Sequence, residues 1–198
     1  KHAAAFDLQA VCAGFVYALV NADALIKTGV YKKALVVGVD IMSRLVDWDD
    51  RSTCVLFGDG AGAVIVEASS EPGILASHLS ADGQLDEKIL GCEARMVGGD
   101  IQGEAFVRMD GQAVFKMAVS SMAESAQTVL NASGLTASEV DHYVPHQANY
   151  RIMEKVAQKI GIDQEKMVVT VNRHGNTSAA SVPLALDNAV RHERIKKG

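Results

Sequence analysis

The chain is short of cysteine. It has three in 198 residues, Cys12, Cys54 and Cys92, an odd number with no Cys-x-x-Cys pair. This excludes a disulfide framework and favours a reducing, cytoplasmic setting. No apolar run approaches the roughly 18 residues that a membrane helix needs, and no signal-peptide pattern opens the sequence, so membrane insertion is not expected. A basic track is also lacking. The nearest cluster, Arg191 to Lys197, reads as a solvated helix face, and with a net charge of −5 a nucleic-acid partner is not expected. The chain starts Lys1-His2-Ala3 without Met and stops at Gly198 just after a helix, so both edges read as cuts inside a longer chain.

What is present is an ordinary globular balance, 48% hydrophobic and 22% charged, enough for a sizeable core. Residues 3–10 read as a short strand entering a turn at Cys12. Residues 13–27 read as a helix apolar nearly all round, hence buried, with Lys27 in its last turn and Gly29 beyond it. Ala34 to Val39 is a continuous apolar run, as expected of a strand covered on both faces. Residues 48–52 read as a polar loop, and Gly58 to Gly62 as a turn feeding a strand at 63–66. Past Pro72-Gly73, residues 74–79 alternate like a strand, and 82–104 read as a surface excursion without a period. Helices are expected at 112–131, 148–160 and 179–191, with a Thr136/Glu139 capping box between the first two. A strand is expected at 167–171. Strands alternating with helices predict an α/β layered fold with a mostly parallel sheet. Strand, polar turn and buried helix recur around Cys12 and again around Asn176, with Asn21-Ala22 and Asn188-Ala189 at similar depths.

Three polar islands stand out. Cys12 lies at a strand-to-helix turn followed by Ala13-Gly14, where small residues let a substrate carbonyl approach and first-turn N–H groups can hold an oxyanion. A helix N-terminus there is expected to lower the thiol pKa, whereas a lone cysteine among alanines is ordinarily just a small buried hydrophobe. His146 follows Pro145 where a strand hands over to a helix, the place at which α/β folds put their chemistry. His142 and His146 cannot share one zinc if their run is extended, because residues four apart then stand roughly 13 Å from each other. Asn176 lies in Arg173-His174-Gly175-Asn176-Thr177-Ser178, where helix capping competes with a role in holding an oxyanion beside a histidine. A cysteine with a distant histidine and asparagine is a nucleophile constellation that need meet only in the fold. The Gly58–Gly62 run is not a dinucleotide loop, because its glycines precede a strand and Asp59 would repel phosphate, so close backbone packing accounts for it better.

Five strings together resemble the β-ketoacyl-[acyl-carrier-protein] synthase III family: Gln9–Phe15, Asp50–Thr53, Phe57–Gly62, Val144–Asn149 and Arg173–Ser181. The resemblance implies an α/β, thiolase-like, five-layered αβαβα fold of two similar halves with mixed, mostly parallel sheets. Both halves would be incomplete here, with residues 1–72 the later part of the first and residues 73–198 most of the second. It implies Cys12 as the nucleophile that takes an acyl group from acyl-CoA, with acetyl the usual primer. His146 and Asn176 would stabilise the enolate formed as malonyl-[acyl-carrier protein] loses CO2. It further implies CoA contacts at Arg51, Phe57, Gly111 and Asn149, carrier-protein contacts at Gln147 and Arg151, a homodimer, and neither metal nor cofactor. Ser52 stands where the family commonly has glycine. Other Cys-His-Asn synthases of this fold, of polyketide or hydroxymethylglutaryl-CoA type, and a non-catalytic acyl-CoA-binding module remain as alternatives.

Overall fold

The computed structural model describes residues 3–83, 89–92 and 94–196, so the readings made of the chain's extreme ends and of part of the 82–104 segment lie outside the described residues. The largest sheet is a pair of nine-residue strands, β1 (Lys33–Ile41) and β2 (Asp59–Glu67), antiparallel from Lys33↔Glu67 to Ile41↔Asp59. Side chains alternate across the pleat. Ala34, Val36, Gly38 and Asp40 therefore share one face with Val66, Val64, Gly62 and Gly60. On that face α1 (Gly14–Lys27) lays Phe15, Leu19 and Ala22 against Val36 and Val64, and Val182 of α5 (Ser181–Arg191) joins the cluster.

The glycines decide how closely α5 and the turn before it can approach. A Cβ at Gly38 would stand 2.5 Å from the carbonyl oxygen of Ala179, and one at Gly62 would stand 2.9 Å from Pro183. At Gly60 the obstacle is Leu184 at 2.8 Å, and at Gly58 it is the carbonyl oxygen of His174. Close backbone packing is thus the role of this run. The glycines lie within or beside β2, which starts at Asp59, rather than in a turn before a strand at 63–66.

The other half of the structure is helical. Asp110 caps α2 (Gly111–Ser133) by accepting from the N–H groups of Gln112 and Ala113, both at 3.0 Å. This helix packs on α3 (Tyr150–Ile160) around Ala123, Ile152, Val156 and Ile160. Asn149 caps α3, Gly161 ends it at φ 77°, and the Thr136/Glu139 capping box forms as expected. Met153 and Ala157 of α3 pack on Met167, while Val168 packs on Ala185 and Ala189 of α5. One helix, α5, therefore lies between the β1–β2 sheet and the 167–169 segment.

Several expectations are corrected. Residues 3–10 and 74–79 form no strand, because no neighbouring strand pairs with them among the described residues. Only Phe15 and Ala22 of α1 are buried, and Leu35, Val37, Val39 and Ile41 are exposed on the far face of β1, since the described residues cover each on one side. The 82–104 excursion contains β3 (Leu90–Cys92), β4 (Arg95–Val97) and β5 (Asp100–Gln102). β4 and β5 form a hairpin closed by Gly98-Gly99, a two-residue turn signal that composition alone obscured. β3 pairs with β6 (Val107–Met109). The 167–171 strand reduces to one bridge between Met167 and Tyr143, and Val171 opens a four-residue helix, α4 (Val171–His174). α3 begins at Tyr150 rather than 148, and the last helix opens with a 3-10 turn at Ser178–Ala180. Among the described residues the strand ladders are antiparallel, and parallel neighbours meet only as single bridges, Tyr143–Met167 and Phe57–Asn176.

The internal echo has a geometric basis. The 3-10 turns Val11–Ala13 and Ser178–Ala180 lie 167 residues apart, and each runs directly into an α-helix. Each opens on a non-glycine residue in the left-handed region, Val11 at φ 48° and Ser178 at φ 50°. In each, a side-chain carbonyl two residues back accepts that residue's N–H: Gln9 at 3.1 Å and Asn176 at 2.9 Å. A β-branched residue at positive φ is a genuine outlier, held here by its hydrogen bond and the packed turn around it.

Gly58→Ala is expected to destabilise the fold by about 1–3 kcal/mol, because the added methyl meets backbone that cannot swing away. Gly73→Ala, with open space around it, should change little. Urea unfolding of both variants checks this, and equal stabilities would contradict the packing account.

Candidate active site

The segment from Asn176 to Ser181 is where the three polar islands meet. Its position is set by backbone bonds to the 56–58 stretch, with Asn176 N–H donating to Leu56 at 2.8 Å and Gly58 N–H donating to Asn176 at 3.0 Å. Gly175 makes this docking possible, since it stands at φ 66° and a Cβ there would be 3.0 Å from the Leu56 carbonyl oxygen. Asp40 of β1 accepts the Ala179 N–H at 2.9 Å and ties the turn to the sheet. Phe57 is carried to the site by the same bridge to Asn176.

Cys12 occupies the 3-10 turn before α1, as its sequence suggested, but its electrostatics differ from expectation. Burial pushes the thiol pKa up, opposed by a hydrogen bond from the Ser178 side chain; Asp40 pushes it up further, and the backbone N–H of Cys12 works the other way. Burial outweighs the contacts that lower it, so the thiol pKa stands above its ordinary value. The Asn176 side chain is oriented by its neighbour: Oδ1 accepts the Ser178 N–H, which leaves the Nδ2 protons to donate elsewhere. His146 places Nδ1 at 2.6 Å from the Ser181 hydroxyl. One edge of the residue remains accessible, but the ring is crowded, and burial lowers its pKa to about 4. It is neutral near neutral pH. The turn that carries Cys12 packs against the Ser178–Ala180 turn, Asn176 bonds Ser178, and His146 bonds Ser181. The arrangement offers a nucleophilic sulfur beside two uncharged hydrogen-bond donors, which suits acyl-transfer chemistry through an anionic oxygen.

The remaining candidates divide into three groups. Gly111 and Asn149 converge with Arg151 on one cleft of about 350 Å³ between the N-termini of α2 and α3, bordered also by Gln112, Phe115 and Lys116. Arg51 is exposed on a separate turn. That turn is held by Asp50, which accepts the Ser52 N–H and hydroxyl at 2.9 and 2.6 Å, so Ser52 fits where glycine was expected. Arg108 of β6 reaches Asp50 of this turn at 3.5 Å, and also Asp47 at 3.1 Å and Glu104 at 2.5 Å. Gln147 is a correction. Its side chain is 1% exposed, donates to Pro145 and Val168 and accepts from Thr170 and Val171, so it cannot meet a carrier protein. It fastens the His146 loop to the segment leading into α4. The sequence reading missed Ser178, Ser181 and Lys116. The two serines were legible as a pair, because residues three apart share one helical face. Among the described residues no group of three or more His, Cys, Asp or Glu could hold a metal ion, and no helix is long and apolar enough to cross a membrane.

Comparison with known proteins gives this geometry its family. The model described as 3-oxoacyl-[acyl-carrier-protein (ACP)] synthase III matches residues 6–83, and the one described as its C-terminal part matches residues 130–198. The structure is similar to that of 3-oxoacyl-[acyl-carrier-protein] synthase III from Aquifex aeolicus VF5, with 45% identity and a TM-score of 0.92 over 100% of this chain and 61% of that one. The enzyme of the same description from Pseudomonas aeruginosa PAO1 gives 43% and 0.89 over 98% and 60%. The priming β-ketosynthase from the R1128 polyketide pathway gives 36% and 0.90 over 98% and 59%. The fold is that of the thiolase-like condensing proteins. The chain belongs to the 3-oxoacyl-[acyl-carrier-protein] synthase III family, and it spans about three-fifths of the length of these relatives.

The buried neutral histidine makes a stability prediction. With its folded pKa near 4 against an ordinary 6.5, the folded state binds fewer protons than the unfolded chain between those values. The contribution is complete above pH 6.5 and is lost as pH falls through 4, by about 3 kcal/mol at about 1.4 kcal/mol per pH unit. His146→Gln should flatten the acid limb of stability against pH in denaturant unfolding, and an unchanged limb would contradict the assignment.

Proposed function

We propose that the chain forms the Cys-His-Asn centre of a condensing acyltransferase. It would load an acyl group, acetyl as the primer, from acyl-CoA onto Cys12 and condense it with malonyl-[acyl-carrier protein]. The product would be a 3-oxoacyl-[acyl-carrier protein], which begins type II fatty acid synthesis. The observation that carries this reading is the convergence of Cys12, Asn176 and His146 on one turn: the Cys12 turn packs against Ser178–Ala180, Asn176 bonds Ser178, and His146 bonds Ser181.

In the first half-reaction the Cys12 sulfur forms a bond to the acyl carbonyl carbon, the carbon–sulfur bond to CoA breaks, and the Cys12 proton leaves with the CoA thiol. Burial that raises the thiol pKa also makes the sulfur a stronger nucleophile once its proton departs. In the second, Asn176 Nδ2–H and His146 donate to the malonyl thioester oxygen. The carboxylate carbon–carbon bond then breaks, CO2 leaves, and its electron pair passes into an enolate. Both donors are uncharged, so they stabilise the developing oxyanion without surrendering a proton to it. The enolate carbon attacks the acyl-Cys12 carbonyl, whose oxygen the Cys12 backbone N–H can hold. The sulfur leaves as a thiolate and takes one proton from solvent, the proton that the decarboxylative condensation consumes.

Arg51 is assigned to the CoA adenine, and Phe57, Gly111 and Asn149 to the rest of the CoA path. Arg151, with Lys116 beside it, presents positive charge at the cleft to an acidic carrier. The two halves, 1–72 and 73–198, a homodimeric assembly, a cytoplasmic setting and independence from metal or cofactor complete the proposal. A second reading, supported by the likeness to the R1128 priming ketosynthase, keeps this chemistry and starts a polyketide instead.

His146→Ala and Asn176→Ala should each slow malonyl-carrier decarboxylation by about 10²–10³ while leaving measurable acyl transfer to Cys12. Single-turnover assays of the two half-reactions separate these effects. A variant that decarboxylates normally but cannot be acylated would reverse the assigned roles.

A further inference from the structure

The Ser181 side chain is 1% exposed, and its oxygen has two partners among the described residues. One is the N–H of Gln147, which donates to it at 3.3 Å, and the other is Nδ1 of His146 at 2.6 Å. A serine hydroxyl has one proton and two lone pairs. The Gln147 N–H takes a lone pair and is not free to shift, because the Gln147 side chain is pinned by Pro145, Val168, Thr170 and Val171. If Nδ1 carried the imidazole proton, Ser181 would accept twice, and its own buried proton would have no acceptor, a costly arrangement. If Ser181 donates to Nδ1, every group is satisfied. The neutral ring must then carry its proton on Nε2.

We propose that Ser181 is a positioning residue, whose hydroxyl donates to Nδ1 of His146 and so keeps the imidazole proton on Nε2, the nitrogen left free to donate to a substrate oxygen. This deepens the function proposed above and rests on it for its consequence, though not for its geometry. The chain of contacts runs from the Gln147 backbone N–H to Ser181 and from Ser181 to His146. Ser181 follows Ser178 by one turn, so the segment packed against the Cys12 turn also sets the histidine tautomer.

The test is long-range proton–nitrogen NMR of the intact protein labelled with nitrogen-15 histidine, the His146 signals being assigned by their loss in His146→Gln. The wild-type ring should be a single Nε2–H tautomer, Ser181→Ala should give a mixture or the Nδ1–H form, and Ser181→Thr should restore the wild-type state. The matching kinetic expectation for Ser181→Ala is a fall of about 10-fold in malonyl thioester decarboxylation, less than the about 10²–10³ of losing a donor outright. Cys12 alkylation by iodoacetamide should be unchanged. An Nδ1–H wild-type ring, or a tautomer ratio indifferent to Ser181→Ala, overturns the proposal. The NMR readout needs no substrate, so an inactive protein with the expected tautomers would defeat the function reading and leave this one standing.

Discussion

Everything at this site depends on how closely the 174–184 segment can press against the β1–β2 sheet. Four positions without a Cβ, Gly38, Gly58, Gly60 and Gly62, form the floor on which His174, Ala179, Pro183 and Leu184 rest. Backbone-to-backbone contact of this kind is short and stiff, so the Asn176–Ser181 turn inherits the rigidity of the sheet. The polar contacts are built on that footing. Asp40 fixes the turn from the sheet side, Asn176 closes on Ser178, and the turn packs against that of Cys12 on one side and bonds His146 through Ser181 on the other.

This arrangement explains why a reactive centre can consist of groups that rest uncharged. Burial raises the Cys12 thiol and lowers the His146 imidazole, so both shifts move away from ionisation near neutral pH. An ion pair between them, the pattern of a thiolate activated by imidazolium, is disfavoured in both partners. What the site provides instead is placement: a sulfur held against a hydroxyl and two neutral donors with their acceptor atoms already occupied. Oriented donors in a water-poor setting stabilise a developing oxyanion at little reorganisation cost.

The candidate centre stood out in the sequence because each part carries a local signature. A cysteine at a turn before Ala-Gly, a histidine after proline, and an asparagine between glycine and hydroxyl residues need no tertiary information to be noticed. The helices expected at 112–131 and 148–160 form as Gly111–Ser133 and Tyr150–Ile160, since apolar spacing and the terminal Gly161 are local signals. Strands were less readable. Residues 74–79 and 167–171 have strand-like patterns, yet a strand exists only where a neighbour pairs with it, and that depends on distant chain. The thiol pKa was misjudged for a similar reason: the helix end was visible in the sequence, whereas desolvation is a property of the packed site. Gln147 looked like a surface amide beside a candidate catalytic residue, and only the fold shows it buried with both ends of its side chain bonded.

The central claim is that Cys12 accepts an acyl group. Incubating the intact protein with acetyl-CoA, then measuring its mass and that of its peptides, tests this most directly. One acetyl group per chain is expected, on the peptide containing Cys12 and absent from Cys12→Ser. No adduct, or acetylation of Cys54 or Cys92 with Cys12 free, would contradict it.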